Sequence, residues 1–152
     1  MSSLLDVCST MVEESICPGL LCREMTAADR ERAAQLLADH YKCEKFPLDF
    51  LPITGVVVEH SGVIVCMIPV YLESSSKVAV LGHFIANDHI DRRLLRNAAA
   101  LAIRETKSFA RRAGKVYVMS VFGRHSINRI ADRLGFVTAD QIEEKFCYIG
   151  GK

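Results

Sequence analysis

No two cysteines of this 152-residue sequence are spaced as Cys-x-x-Cys, although there are six, at positions 8, 17, 22, 43, 66 and 147. Cys17 and Cys22 have no histidine or second cysteine pair nearby to complete a metal shell, so no metal site is expected. Cys66 and Cys147 fall inside apolar strand patterns, where buried free thiols are common. A reducing compartment, the cytoplasm, is expected. Charge of one sign is also lacking: 19 Lys and Arg face 18 Asp and Glu, for a net charge of +1. The chain as a whole is therefore no polyelectrolyte binder, and any anion must be recognised locally. The longest apolar run, Val63 to Leu72, is too short to span a bilayer and contains Pro69. Residues 1–16 carry Asp6, Glu13 and Glu14 with neither a basic start nor an apolar core, so no signal peptide and no membrane association are expected. Internal repeats and low-complexity tracts are missing as well.

What is present is enough apolar matter for one core. Half the residues are hydrophobic, and the length suits one domain rather than two. The expected division is a leader, residues 1–18, and a single domain, residues 19–152. An ordered leader would dock on its own domain or on a partner in an assembly.

The domain opens on a strand at Gly19 to Glu24. Thr26-Ala-Ala-Asp29 then starts a helix, with an acid three residues after the cap, and Ala33, Ala34, Leu36, Leu37 and Tyr41 continue its apolar face. Lys42 to Pro52 reads as a loop or a short broken helix, closed by Pro47 and Pro52. Gly55 to His60 and Val63 to Leu72 form a hairpin around Ser61-Gly62. Pro69 cannot donate to a ladder, which predicts a bulge or an edge there. Val78 to Ala86 completes an antiparallel meander. Asp91 caps a long helix, Arg92 to Ala113, stopped by Gly114. A strand at Lys115 to Val121, a helix at Arg124 to Leu134 stopped by Gly135, and closing strands at Phe136 to Thr138 and Lys145 to Ile149 follow. Strand, helix and strand in succession imply a crossover and a parallel pair. The predicted class is α/β (α+β): a mixed, mostly antiparallel sheet with one parallel crossover and helices on both faces.

Arg93, Arg96, Arg104, Lys107 and Arg111 make a basic stripe on the long helix. It reads as a solvated face, as phosphate contacts near Arg93 and Arg96, as a docking face for an acidic partner, or as a nonspecific nucleic-acid contact. Aromatics do not interleave it, so nucleic acid bound by stacking is not expected.

The element order β-α-β-β-β-α-β-α-β-β, with Arg124-His-Ser-Ile-Asn-Arg-Ile-Ala-Asp-Arg-Leu-Gly-Phe136, resembles the GCN5-related N-acetyltransferase (GNAT) superfamily. The resemblance covers Leu20 to Ile149, in pattern more than in identities. It implies acetyl-CoA in a cleft between strands Val78–Ala86 and Lys115–Val121, with Phe84, Ile85 and Ala86 offering backbone groups to the pantetheine arm. The family's diphosphate segment, Arg/Gln-x-x-Gly-x-Gly/Ala, matches Arg93-Leu94-Leu95-Arg96-Asn97-Ala98. Arg93 and Ala98 agree, and Arg96 stands where the first glycine should be. Either Arg96 swings out and clamps a phosphate itself, or the site is closed. Ala131 falls where many members place a thiolate-protonating tyrosine. His83 and Glu59 are candidate general bases and His125 a candidate proton relay; the plain alternatives are a half-buried strand histidine and a solvated charge beside a turn. The resemblance therefore implies an acyl-CoA-dependent N-acyltransferase acting on a small-molecule or peptide amine. The alternative is a catalytically degenerate GNAT-fold binding or structural protein. Small divergent members are encoded by phages, so that alternative includes a virion or accessory component.

Overall fold

A computed structural model describes residues 17–120 and 125–138, with the side chain of His125 excluded. Its elements are β1 (Leu20–Glu24), α1 (Ala27–Tyr41), a 3₁₀ turn (Leu48–Phe50), β2 (Gly55–His60), β3 (Val63–Leu72), β4 (Val78–Leu81), β5 (Ile85–Ala86), α2 (Arg92–Arg112), β6 (Tyr117–Ser120) and α3 (His125–Arg133). The strands form one sheet in the order β1-β2-β3-β4-β6, with β5 also beside β3. Among the described residues only β4 and β6 run parallel.

Local chemistry sets most boundaries. Ser61 and Gly62 both take positive φ, 51° and 76°, which matches the right-handed twist of the β2–β3 hairpin. Asp29 Oδ2 accepts from the Thr26 backbone amide at 2.7 Å and closes the start of α1. Gly114 (φ 77°) ends α2, and the Lys115 amide returns to the Ala110 carbonyl at 3.0 Å.

The sheet is covered on both faces. On one, α2 and α3 bury Ala98, Ala99, Ala102, Ile103 and Ile127 against Val58, Cys66, Ile68, Val70, Ala79 and Leu81. The alanines remove side-chain bulk, so α2 lies close to the sheet. On the other face α1 packs Ala33, Leu36 and Leu37 against Val57, Met67 and Ile85.

Three expectations change. The run Val78 to Ala86 is not one strand: it pairs with β3 as β4, breaks at Gly82–Phe84, and pairs with β3 again as β5. Pro69 is not on an edge strand, because β3 lies between β2 and β4. In a strand, one residue's N–H and C=O point to the same side. The Pro69 carbonyl accepts from the Gly82 amide at 2.7 Å, so its missing donor falls where β4 and β5 are interrupted. Finally, Phe136 to Thr138 is not a strand. The Phe136 amide returns to the Ala131 carbonyl at 3.0 Å and finishes α3 instead of joining a ladder. Residues 1–16 and the strand expected at Lys145 to Ile149 lie outside the described residues. The four described cysteines, Cys17, Cys22, Cys43 and Cys66, are free, and burial pushes the Cys66 thiol up.

Candidate active site

The break at Gly82–Phe84 sits at the carboxyl end of the parallel pair. The β4–β6 register runs from Val78 opposite Tyr117 to Leu81 opposite Ser120, and there the described ladder stops. Gly82 then turns in: a Cβ there would come within 3.1 Å of the Tyr71 ring and 3.2 Å of the Pro69 carbonyl oxygen. Ile85 and Ala86, both buried, pair with Met67 and Cys66. The two residues between face opposite ways. Phe84 packs into the α2-side core. The His83 ring lies 6.2 Å edge-on from Tyr41 and 6.0 Å from Phe50, on the α1 side. At the last described rung of the parallel pair, the Ser120 hydroxyl oxygen is buried with no hydrogen-bond partner among the described residues.

Arg93 to Ala98 all lie inside α2, which begins at Arg92. Asp91 Oδ1 accepts from the Arg93 amide at 2.9 Å and the Leu94 amide at 3.2 Å, and the Leu95 amide goes to the Asp91 carbonyl at 2.9 Å. Two donors that a diphosphate would seek are thus already given to a carboxylate. The Arg92, Arg93 and Arg96 side chains are exposed, Leu94, Leu95 and Asn97 are half-buried, and Ala98 is in the core. A phosphate fits the guanidinium groups here better than the amides.

The other candidate base, Glu59, sits elsewhere. Its carboxylate accepts from Arg23 Nε at 2.9 Å and from a second guanidinium nitrogen at 2.6 Å. The same guanidinium holds Asp29 through two bonds, 2.6 and 2.8 Å. Arg23 and the Thr26 contacts keep the Asp29 carboxyl at about 2, below its usual range. His125 is the first residue of α3, and Ala131 is buried on that helix. Cys22, Arg23, Glu24, Val56, Glu105, Phe109 and Arg112 line a cleft of about 220 Å³ on the β1 side of α2. Burial, with Glu105 nearby, pushes the Cys22 thiol up to about 12, so it is no nucleophile. Among the described residues no group of His, Cys, Asp and Glu gathers as a metal set, and no helix is long and apolar enough to cross a membrane.

Sequence reasoning missed Ser120, the Arg23 bridge, the His40–Asp88 pair (3.6 Å) and the rings around His83. The last had a signal: Tyr41, Phe46 and Phe50 fall within ten residues of a chain with four Tyr and seven Phe.

No family model and no curated protein matches this sequence. Solved structures do. The chain is similar to an aminoglycoside acetyltransferase, meta-AAC0020, from an uncultured soil metagenomic sample in complex with sisomicin. That match has a TM-score of 0.65 at 13% identity and covers 87% of this chain and 97% of that one. The chain has the fold of the GNAT acetyltransferases. The GNAT likeness extends to yncA, a putative acetyltransferase from Salmonella typhimurium with its cofactor acetyl-CoA (TM-score 0.62, 15% identity, 88% of each chain). A transcriptional regulator from Bacillus halodurans C-125 is similar too, with a TM-score of 0.61 at 18% identity over 84% of this chain and 99% of that one.

Proposed function

We propose that the protein is an acyl-CoA-dependent N-acyltransferase that moves an acetyl group from acetyl-CoA to an amine of a small molecule or peptide. One observation carries this reading. β4, the strand parallel to β6, ends at Leu81, and the chain breaks at Gly82–Phe84 and swings to β3 at the point where open α/β sheets hold ligands, outside the carboxyl ends of the strands. Similar folds bind acetyl-CoA and aminoglycosides, which supports the reading.

In this scheme the guanidinium groups of Arg93 and Arg96 meet the diphosphate, and the backbone of Phe84 to Ala86 lies along the pantetheine arm. His83 takes a proton from the acceptor ammonium. The freed nitrogen pair forms the C–N bond at the thioester carbonyl carbon. The C–S bond breaks, its electron pair leaves on sulfur, and the second proton that the nitrogen sheds in becoming an amide passes to that sulfur. Ser120, a buried hydroxyl at the last rung, donates a hydrogen bond to that sulfur. We assign the base to His83 rather than Glu59 because Arg23 already holds the Glu59 carboxylate. Holding both reactants in one crevice supplies much of the rate.

Isothermal titration with acetyl-CoA, followed by a free-thiol assay with added amines, tests this. One-to-one binding in the range of about 1 μM to 1 mM and amine-dependent thiol release are expected. Neither heat nor a thermal shift at millimolar acetyl-CoA overturns it.

The second reading is a binding or structural module, for example a virion or accessory component, that keeps the fold without the chemistry. The Asp91 cap and the buried Ala131 favour it. Defined oligomers in sedimentation velocity together with no acetyl-CoA binding would select this reading.

A further inference from the structure

The overall charge of +1 conceals a division. Residues 92–133 hold nine Arg and two Lys against two acids, Glu105 and Asp132, while the rest of the chain holds eight basic residues against sixteen acidic ones. Both helices of the basic segment, α2 and α3, lie on one face of the sheet. Arg104 and Arg111 follow Arg93 by 11 and 18 residues, close to whole numbers of turns, so the three share one side of α2 over about 27 Å. Lys107 Nζ donates to the Leu134 carbonyl at 2.7 Å, which holds the end of α3 against α2. Arg129 and Arg133, one turn apart on α3, extend the basic face.

Part of this charge is used within the chain. Arg104 meets Glu105 and Arg112 meets Glu24, each at 3.4 Å. Arg93, Arg96, Arg111, Arg129 and Arg133 are exposed and make no ion pair among the described residues.

The chemistry of the face selects its partner. Between the cations α2 carries Asn97, Ala100 and Ser108. No large apolar side chain is there to enter a bilayer or to anchor a protein, and no ring is there to stack on a single strand. A second copy of the chain would need an acidic face, and α1 and its loop do not supply one. Glu31 lies between Arg30 and Arg32, Lys42 and Lys45 alternate with Glu44 and Asp49, and Arg23 holds Asp29 and Glu59. A stiff array of phosphates fits. Guanidinium groups take phosphate oxygens two at a time, and arginine outnumbers lysine nine to two. A row of about 27 Å faces about eight base pairs of a DNA duplex. Proteins that hold an RNA duplex add contacts to its 2′-hydroxyls, which guanidinium groups aimed at phosphate do not require.

We infer that α2 and α3 form a docking face for the phosphate backbone of double-stranded DNA. The contacts are to phosphate, so the face positions the duplex without reading its sequence. This inference stands apart from the acyltransfer reading and shares with it only Arg93 and Arg96.

The test uses the other three exposed arginines. Fluorescence anisotropy of the full chain with a labelled DNA duplex of about 20 base pairs is followed from about 50 to 200 mM NaCl. Four to five phosphate contacts should weaken binding about 150- to 500-fold over that range. Replacing all three (Arg111→Gln, Arg129→Gln, Arg133→Gln) should cut the logarithmic salt slope from about −4.5 to about −1.8. Arg32→Gln, Lys42→Gln and Lys45→Gln together remove the same charge from the α1 side and should leave affinity within about threefold. Circular dichroism melts confirm that both triple variants fold. No binding at about 50 mM NaCl overturns the inference. So does an equal loss in the two triple variants, which would make the effect one of net charge. Tighter binding of polyglutamate, of phosphatidylserine vesicles or of an RNA duplex of the same length also overturns it, and assigns the face to an acidic protein, a membrane or RNA.

Discussion

At the start of α1, Arg23 is held between two carboxylates, Asp29 and Glu59, by four bonds of 2.6 to 2.9 Å. At the start of α2, Asp91 turns its carboxylate onto two helix amides, and the side chains of Arg92, Arg93 and Arg96 stand in solvent around it. The ingredients are the same, and the geometry decides their use. In the first place the strand parity of β1 points Arg23 toward α1, so its charge is spent on joining β1, β2 and α1. In the second no described strand lies opposite, and the three arginines are exposed to something outside the chain.

If the first cluster is structural, Arg23→Leu should have the largest effect of any change considered. It leaves Asp29, whose side chain is 7% exposed, and Glu59, 22% exposed, without their cation. Removing one partner of a fully buried pair costs about 3 to 5 kcal/mol, and the open side of Arg23 reduces this to about 2 to 3. Urea denaturation measures it. A loss below about 0.5 kcal/mol would put this cluster in the same class as the exposed one.

The same contrast has a pH signature. The Asp29 carboxyl, ordinarily at 3.8, is held at about 2 in the folded protein. A depressed carboxyl stabilises the fold fully above its unfolded value and loses that contribution as pH falls toward its folded one. The protein should thus lose about 1 to 2 kcal/mol between about pH 4 and pH 2 through this group. Asp29→Asn should flatten that part of the curve. An unchanged slope in the variant would place the acid sensitivity elsewhere.

For the exposed cluster the expected pattern is reversed. Arg96→Ala should change stability by less than about 0.5 kcal/mol and weaken acetyl-CoA binding about tenfold, the value of one charge-assisted phosphate contact. Arg93→Ala should behave alike. Titration calorimetry beside urea melts separates the two quantities. Full affinity in both single variants and in the double variant would remove the arginines from the cofactor site.

How much of this could be read beforehand follows the range of the interactions. Asp91, Gly114, Gly135 and the Ser61-Gly62 turn act within a few residues of themselves, and each does what its type predicts. The break at Gly82–Phe84 was hidden because apolar residues flank it on both sides, Val78 to Leu81 and Phe84 to Ala86. Hydrophobicity records that a strand is buried, and not which neighbour it bonds. Pro69 predicted a bulge or an edge for the same reason: its missing donor is harmless in a central strand because two other segments part beside it. Arg23 reaches Glu59, 36 positions away, and His83 meets Tyr41 from a distant segment, both beyond any local pattern. The Arg96 departure, by contrast, was legible as a missing glycine, and its consequence needed the helix start to be seen.

That helix start gives the smallest and most discriminating prediction. Asp91→Asn keeps a side-chain oxygen for the Arg93 and Leu94 amides, and asparagine caps helices about as well as aspartate. Stability should move by less than about 0.5 kcal/mol, while one negative charge leaves the place a diphosphate would approach. A charge at a helix N-terminus is worth about 0.3 to 1 kcal/mol, so acetyl-CoA should bind roughly threefold tighter at low salt. The gain should fade as ionic strength rises, since the groups are exposed. Tighter binding with unchanged melting would mean that Asp91 competes with the phosphate for the same end of α2. Weaker binding would mean that the carboxylate orients the arginines, and the two clusters would then differ in exposure alone.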